Sequence, residues 1–215
     1  MGLRKTNIVI LACVGVFVLF WLFGNEADAE YLAFSTDNLL RGRVWTLITS
    51  LFMHADLTHL AGNMVFLYVF GNTLEKEVGA GKTMLAFFAG GILSLIAGIF
   101  YYGPGVFLVG ASAAIFTLTA AVMLVKPLKF SFIFFMPLGL VALAYIIYNV
   151  IAVYTGVEGN VGYFSHIVGF AVGLPLGAAW TKNLLRNLLI ALGLLFLYVL
   201  ISILLLPLIL QMIGI

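Results

Sequence analysis

Ser112 and His166 are the two side chains in this sequence best suited to covalent chemistry. A serine hydroxyl is a poor nucleophile until a base within about 2.6–3.2 Å takes its proton, and histidine suits that task near neutral pH. A tetrahedral oxyanion formed on Ser112 then needs donors. His59 and Asn63 stand four residues apart, a spacing that puts both on one helical face. Ser112 opens an apolar run after Gly110-Ala111. Its backbone N–H is expected at a helix N-terminus, where the dipole also favours negative charge. The acids nearest this group are Asp56 and Glu158, so a Ser-His dyad is expected rather than a triad with a carboxylate.

Each of these residues also has a plainer role. A serine in a membrane helix commonly bonds its own i−4 carbonyl or packs as a small residue. His59 and Asn63 are the kind of polar residues that join membrane helices. His54, His59 and His166 are together enough for a three-histidine zinc site. That site is disfavoured, because His54 lies five residues before His59 and outside the helix. No metal and no cofactor is expected. The choice between these roles rests on whether the elements carrying the residues bring them together.

Those elements are membrane spans. The chain has 215 residues, 64% hydrophobic and only 8% charged, against the roughly 25% charge of a water-soluble domain. A soluble enzyme, a nucleic-acid binder and a disordered protein are excluded. The single cysteine, Cys13, excludes an internal disulfide and a cysteine-rich metal site. A helix crosses the hydrocarbon core in roughly 20 apolar residues. Apolar runs place seven spans at 7–23, 57–74, 83–101, 111–125, 131–152, 163–180 and 187–210. The expected fold is an all-α polytopic transmembrane bundle. Residues 1–182 hold a six-helix core and 183–215 an additional C-terminal helix. After the first span, Ala27-Asp28-Ala29 resembles a signal-peptidase site, but the run before it is long for a signal peptide, and the span is expected to be retained.

Charge sets the orientation. Arg4, Lys5, Lys76, Lys82, Lys126, Lys129, Lys182 and Arg186 fall on one side, and only Arg41 and Arg43 on the other. The richer side is cytoplasmic by the positive-inside rule. The N-terminus is then cytoplasmic and the C-terminus outside. Spans two, four and six all run inward, so His59, Asn63, Ser112 and His166 share one depth near the outer face. Gly169 and Gly173 follow His166 on one helical face, and Ala113, Ala114, Ala120 and Ala121 offer small surfaces on span four. Such faces let membrane helices approach closely. The long segment 24–56 is too apolar for disorder, so short interfacial helices are expected there, with Asp37 a candidate N-cap.

These residues resemble the rhomboid intramembrane serine proteases. His54 to Asn63 looks like that family's H-x-x-x-x-H-x-x-x-N segment, Gly110-Ala111-Ser112 like its G-x-S motif, and His166-Ile167-Val168-Gly169 with Gly173 like its H-x-x-G-x-x-x-G motif. The resemblance implies Ser112 as nucleophile and His166 as general base. It implies His59, Asn63 and the Ser112 N–H as oxyanion donors, in a water-filled site below the outer surface. It implies single-span transmembrane substrates that enter beside span five, whose outer half carries Tyr145, Tyr148 and Asn149. Three departures stand out. Trp45 is followed by Thr46 where the family often has Trp-Arg, Ala113 replaces a glycine, and Phe116 replaces a frequent tyrosine. The alternatives are a non-catalytic relative that binds transmembrane helices, or a transporter. The first would be signalled by loss of Ser112 or His166. The second usually shows internal repeats, and none is found.

Overall fold

The computed structural model describes residues 2–157 and 161–212. Glu158 lies outside them. Helix α1 (Lys5–Phe23) leads into short helices α2 (Glu26–Leu32), α3 (Thr36–Leu40) and α4 (Thr46–Thr49) and a 3-10 turn at Ser50–Phe52. Helix α5 (Leu57–Phe66) continues through a π-helical turn, Leu67–Gly71, into α6 (Asn72–Val78). Then follow α7 (Ala80–Gly98), α8 (Ser112–Val125), α9 (Leu138–Tyr154), α10 (Tyr163–Trp180) and α11 (Leu184–Met212). Helices α1, α7, α10 and α11 are long and apolar enough to cross a membrane, and α8 and α9 are shorter apolar helices.

Helix α8 is the centre of the bundle. Every residue from Ala113 to Leu124 is buried, as expected of a helix that is apolar all round. Its deepest contact is with α10. A Cβ at Gly169 would overlap the Ala113 carbonyl, one at Gly173 the Thr117 carbonyl, and one at Gly177 would come within 2.8 Å of Ala121 Cα. The glycine row thus lies directly on the α8 backbone. Thr117 Oγ1 donates to the Gly169 carbonyl at 2.7 Å across this seam. Interhelical bonds of this kind average about 0.6 kcal/mol in membranes, so close packing rather than the bond itself holds the pair.

Three details differ from the sequence expectations. The helix that carries span two does not stop with the apolar run at residue 74 but continues as a charged turn to Val78, outside the span. Span five does not begin at residue 131. Phe130–Ser131 pairs antiparallel with Met136–Pro137, and the helix starts only at Leu138. Pro137 decides this, because its ring disfavours helical geometry in the residue before it. The apolar run Phe132–Met136 is a hairpin tip with Phe132 and Phe135 exposed. Hydropathy alone does not distinguish such a tip from a helix. The segment 24–56 does hold short helices, but Ser35 and not Asp37 caps α3, accepting from Asn38 N–H, while Asp37 sits in the first turn.

One end of the bundle collects the residues assigned above to the basic side. Glu75 accepts from the backbone N–H of Lys5 and Thr6 and from Thr6 Oγ1 at 2.9, 2.8 and 2.7 Å. Arg4 has no side-chain cap for α1, so Glu75, reaching across from α6, does that work. Burial raises the Glu75 carboxyl, but the bonds from Thr6 and Lys5 and the Arg4 charge outweigh it and hold the group below the usual glutamate range. Lys126 pairs with Glu77 at 3.3 Å at the same end.

Candidate active site

The segment before the nucleophile is fixed by the first loop. Phe34 and Leu108 exchange backbone hydrogen bonds of 3.3 and 2.7 Å, and Gly110 N–H donates to the Ser50 carbonyl at 2.9 Å. Arg43, two residues before Trp45, steadies that loop. It donates to Asn38 Oδ1 at 2.9 Å and lies 4.9 Å over the Tyr31 ring, while Trp45 Nε1 donates to the Tyr31 carbonyl. Thr46 is buried and donates to the Arg43 carbonyl. Gly110 then turns the chain with φ +115°, a conformation that favours glycine. Ser112 is the first residue of α8, so its N–H has no intrahelical acceptor.

His166, in the first turn of α10, meets it. His166 Nε2 lies 2.7 Å from Ser112 Oγ. Its Nδ1 lies 2.7 Å from Asn149 Oδ1 on α9. The imidazole stacks on Phe116 with centroids 4.5 Å apart and planes 9° apart. Phe116 thus supports the ring through its face, as a tyrosine would, without a hydroxyl. Both imidazole nitrogens are engaged by Ser112 and Asn149. Among the described residues no three histidine, cysteine, aspartate or glutamate side chains group as a metal set.

His59 and Asn63 line the same place from α5. A Cβ on Gly110 would come within 2.7 Å of His59 Cε1 and Nε2 and 3.4 Å of Asn63 Nδ2. Asn63 Nδ2 is buried without a hydrogen-bond partner among the described residues. An unpartnered buried donor is costly, typically 1–3 kcal/mol, and asks for an explanation. Asp56 caps α5, its carboxylate accepting from His59 N–H at 2.7 Å. That engages the acid that stood closest to the site in sequence. The His54 ring packs edge-on against His59 at 5.1 Å. Burial, and then the neighbouring His59, push its imidazole down to about 4, so it is neutral near pH 7.

All four residues singled out from sequence therefore gather around Gly110 and Ser112. Asn149 was not among them. It was legible only as a polar side chain inside an apolar span, which is a functional hint by default. Its partner was not legible at all.

The rhomboid domain family model matches residues 41–183, from the end of α3 to the residue before α11. The chain is also similar to the rhomboid protease GlpG of Salmonella paratyphi A. The two are 28% identical over 178 residues, which covers 83% of this chain and 63% of the relative. The rhomboid proteases GlpG of Salmonella typhi and Salmonella newport match to the same extent. The chain spans about 63% of the length of these curated relatives. A family match across most of the sequence, carried on a bundle of membrane-length helices, makes this an integral membrane protein that belongs to the rhomboid family.

Proposed function

We propose that this protein is an intramembrane serine protease that cuts single-span transmembrane proteins with a Ser112-His166 dyad. The observation that carries the reading is the 2.7 Å approach of His166 Nε2 to Ser112 Oγ, which is the geometry a nucleophile and its base require. His166 takes the hydroxyl proton as Ser112 Oγ attacks the substrate carbonyl carbon. The carbonyl oxygen becomes an oxyanion. The Ser112 N–H, Asn63 Nδ2 and the His59 ring are its donors, and the lack of a hydrogen-bond partner for Asn63 Nδ2 among the described residues supports this. His166 then gives the proton to the leaving amine, and the C–N bond breaks. Water attacks the acyl-serine with His166 again as base, releasing the second product and restoring Ser112.

The same reading includes the membrane orientation. Eight of the ten basic residues lie toward one end of the helices, the end of Arg4, Lys5, Lys126 and Arg186. That end is cytoplasmic by the positive-inside rule. The site then opens toward the outer face, with the N-terminus inside and the C-terminus outside. Residues 1–182 form the protease core, and α11 in residues 183–215 is an added element fastened by Asn187 Nδ2, which donates to the Leu124 carbonyl at 2.8 Å. No cofactor is required.

Purified protein reacted with a fluorophosphonate probe, with peptide mapping of the adduct, tests the reading. The expected label is on Ser112, absent in Ser112→Ala and in His166→Ala. Labelling elsewhere, or cleavage of a transmembrane substrate by Ser112→Ala, would overturn it.

A further inference from the structure

The geometry points to Asn149 as a positioning residue that holds the His166 ring in the one tautomer able to take the Ser112 proton. This rests on reading Ser112 and His166 as nucleophile and base. A neutral imidazole has one N–H and one bare nitrogen, and the partner of one nitrogen decides the state of the other. Here the decision can be followed atom by atom. Asn149 Nδ2 donates to the Tyr145 carbonyl at 2.8 Å, one turn back on α9. The amide cannot be reversed without setting its oxygen against that carbonyl. Asn149 Oδ1 therefore faces His166, and it is only an acceptor. His166 Nδ1, at 2.7 Å, must carry the hydrogen. Nε2 is then bare, and the Ser112 hydroxyl donates to it at 2.7 Å.

The placement excludes competing partners. Asn149 is 2% exposed and His166 7% exposed, so water does not replace this contact cheaply. Phe116 stacks on one face of the ring and offers no hydrogen bond in its plane. Among the described residues, the titratable groups around His166 are Tyr163 on its own helix, Tyr145 and Tyr148 on α9, and His59 on α5 with His54 behind it; α8 contributes only the Ser112 hydroxyl. Asp56, one of the carboxylates singled out from the sequence, caps α5 and does not stand behind the imidazole. An amide stands there instead. It fixes the ring and its tautomer without adding a negative charge, an arrangement that also serves in Cys-His-Asn proteases.

Asn149→Ala and Asn149→Asp test this, measured with a transmembrane substrate and with a fluorophosphonate, over a range of pH and with a melting curve for each. Asn149→Ala frees the tautomer. The expected result is a fall in kcat of about tenfold or more with KM within about twofold, matched by slower labelling of Ser112. A wrong tautomer, as opposed to a free one, costs about 10⁴ in a serine protease. Asn149→Asp keeps the acceptor toward His166 and adds a charge, which makes the imidazole hold a proton more tightly, while it gives up the bond to the Tyr145 carbonyl and lowers the melting midpoint for that reason. It is expected to recover kcat at alkaline pH and to move the acid limb of kcat/KM upward by about one pH unit. A packing role would lower the melting midpoint and leave the acid limb in place. Wild-type kcat in Asn149→Ala together with an unmoved acid limb in Asn149→Asp overturns the proposal. Ser112→Ala and His166→Ala run alongside: if they are inactive while both Asn149 variants match wild type, only the role of Asn149 fails, and if they stay active the protease reading itself fails.

Discussion

Gly169 lies against the carbonyl of Ala113 so closely that a Cβ at position 169 would overlap it. His166 sits one helical turn before Gly169 and Ser112 immediately precedes Ala113, so this approach sets the distance between the base and the nucleophile. Helix packing and chemistry are thus one constraint here.

Gly169→Ala is expected to push α10 off α8. Overpacking costs typically 1–3 kcal/mol, and a backbone obstacle places this case toward the upper end. The melting midpoint should fall and cleavage should be lost with it. Gly62→Ala is the control, because a Cβ there meets nothing within 4 Å. Equal behaviour of the two variants in melting and cleavage assays would refute the packing argument.

Gly110→Ala should damage turnover for a different reason. Its φ of +115° is strained for any side chain, and the added Cβ points at the His59 ring, 2.7 Å away. The expected outcome is a loss of kcat of at least tenfold as His59 and the Ser112 N–H are displaced. Steady-state kinetics beside a melting curve check it, and normal kcat would show that the turn tolerates a side chain.

Asn63→Ala should lower kcat more than it raises KM. A donor to an oxyanion acts only as charge develops, so its loss appears in turnover. Removing one such donor costs about 2.7–4 kcal/mol where measured, or roughly 10²–10³ in rate. The loss here is expected at the lower end, since His59 and the Ser112 N–H remain. Near-normal kcat with a lowered melting midpoint would make Asn63 interhelical glue.

Glu75 makes stability depend on acid. Its folded-state carboxyl lies below the ordinary value, so its contribution is present above about pH 4.5 and is lost as pH falls through the folded value. Glu75→Gln should melt below wild type at pH 7, and the gap between the two should narrow as the pH is lowered past that range. Parallel melting curves at pH 7 and below pH 4 check this; a constant gap would mean the carboxylate charge is not what holds α1.

Substrate cleavage is expected in the outer half of the substrate span. Ser112 and His166 both stand at the first turns of their helices, at the end of the bundle away from Glu75 and Lys126. The substrate must leave its helix there, because a helical carbonyl is already bonded. Mass spectrometry of the two products locates the cut, and a site in the cytoplasmic half would contradict the orientation.

The sequence by itself determined the all-α membrane fold, because charge scarcity and apolar runs act locally and need no tertiary information. It also determined the meeting of Ser112 and His166. The glycines after His166 and the alanines after Ser112 marked the faces that can close. What tertiary structure decided was everything that depends on how far each helix is rotated and where it stops. Asn149 is one polar residue in a run of apolar ones, and nothing local says that its amide points at His166 from α9. The cap that Glu75 places on α1 joins residues about seventy positions apart. The hairpin at Phe130–Pro137 is a local feature that hydropathy does not separate from a span, and only Pro137 marks it. The first two turn on contacts between separate segments, and hydropathy and spacing record which face is greasy, not which neighbour it meets.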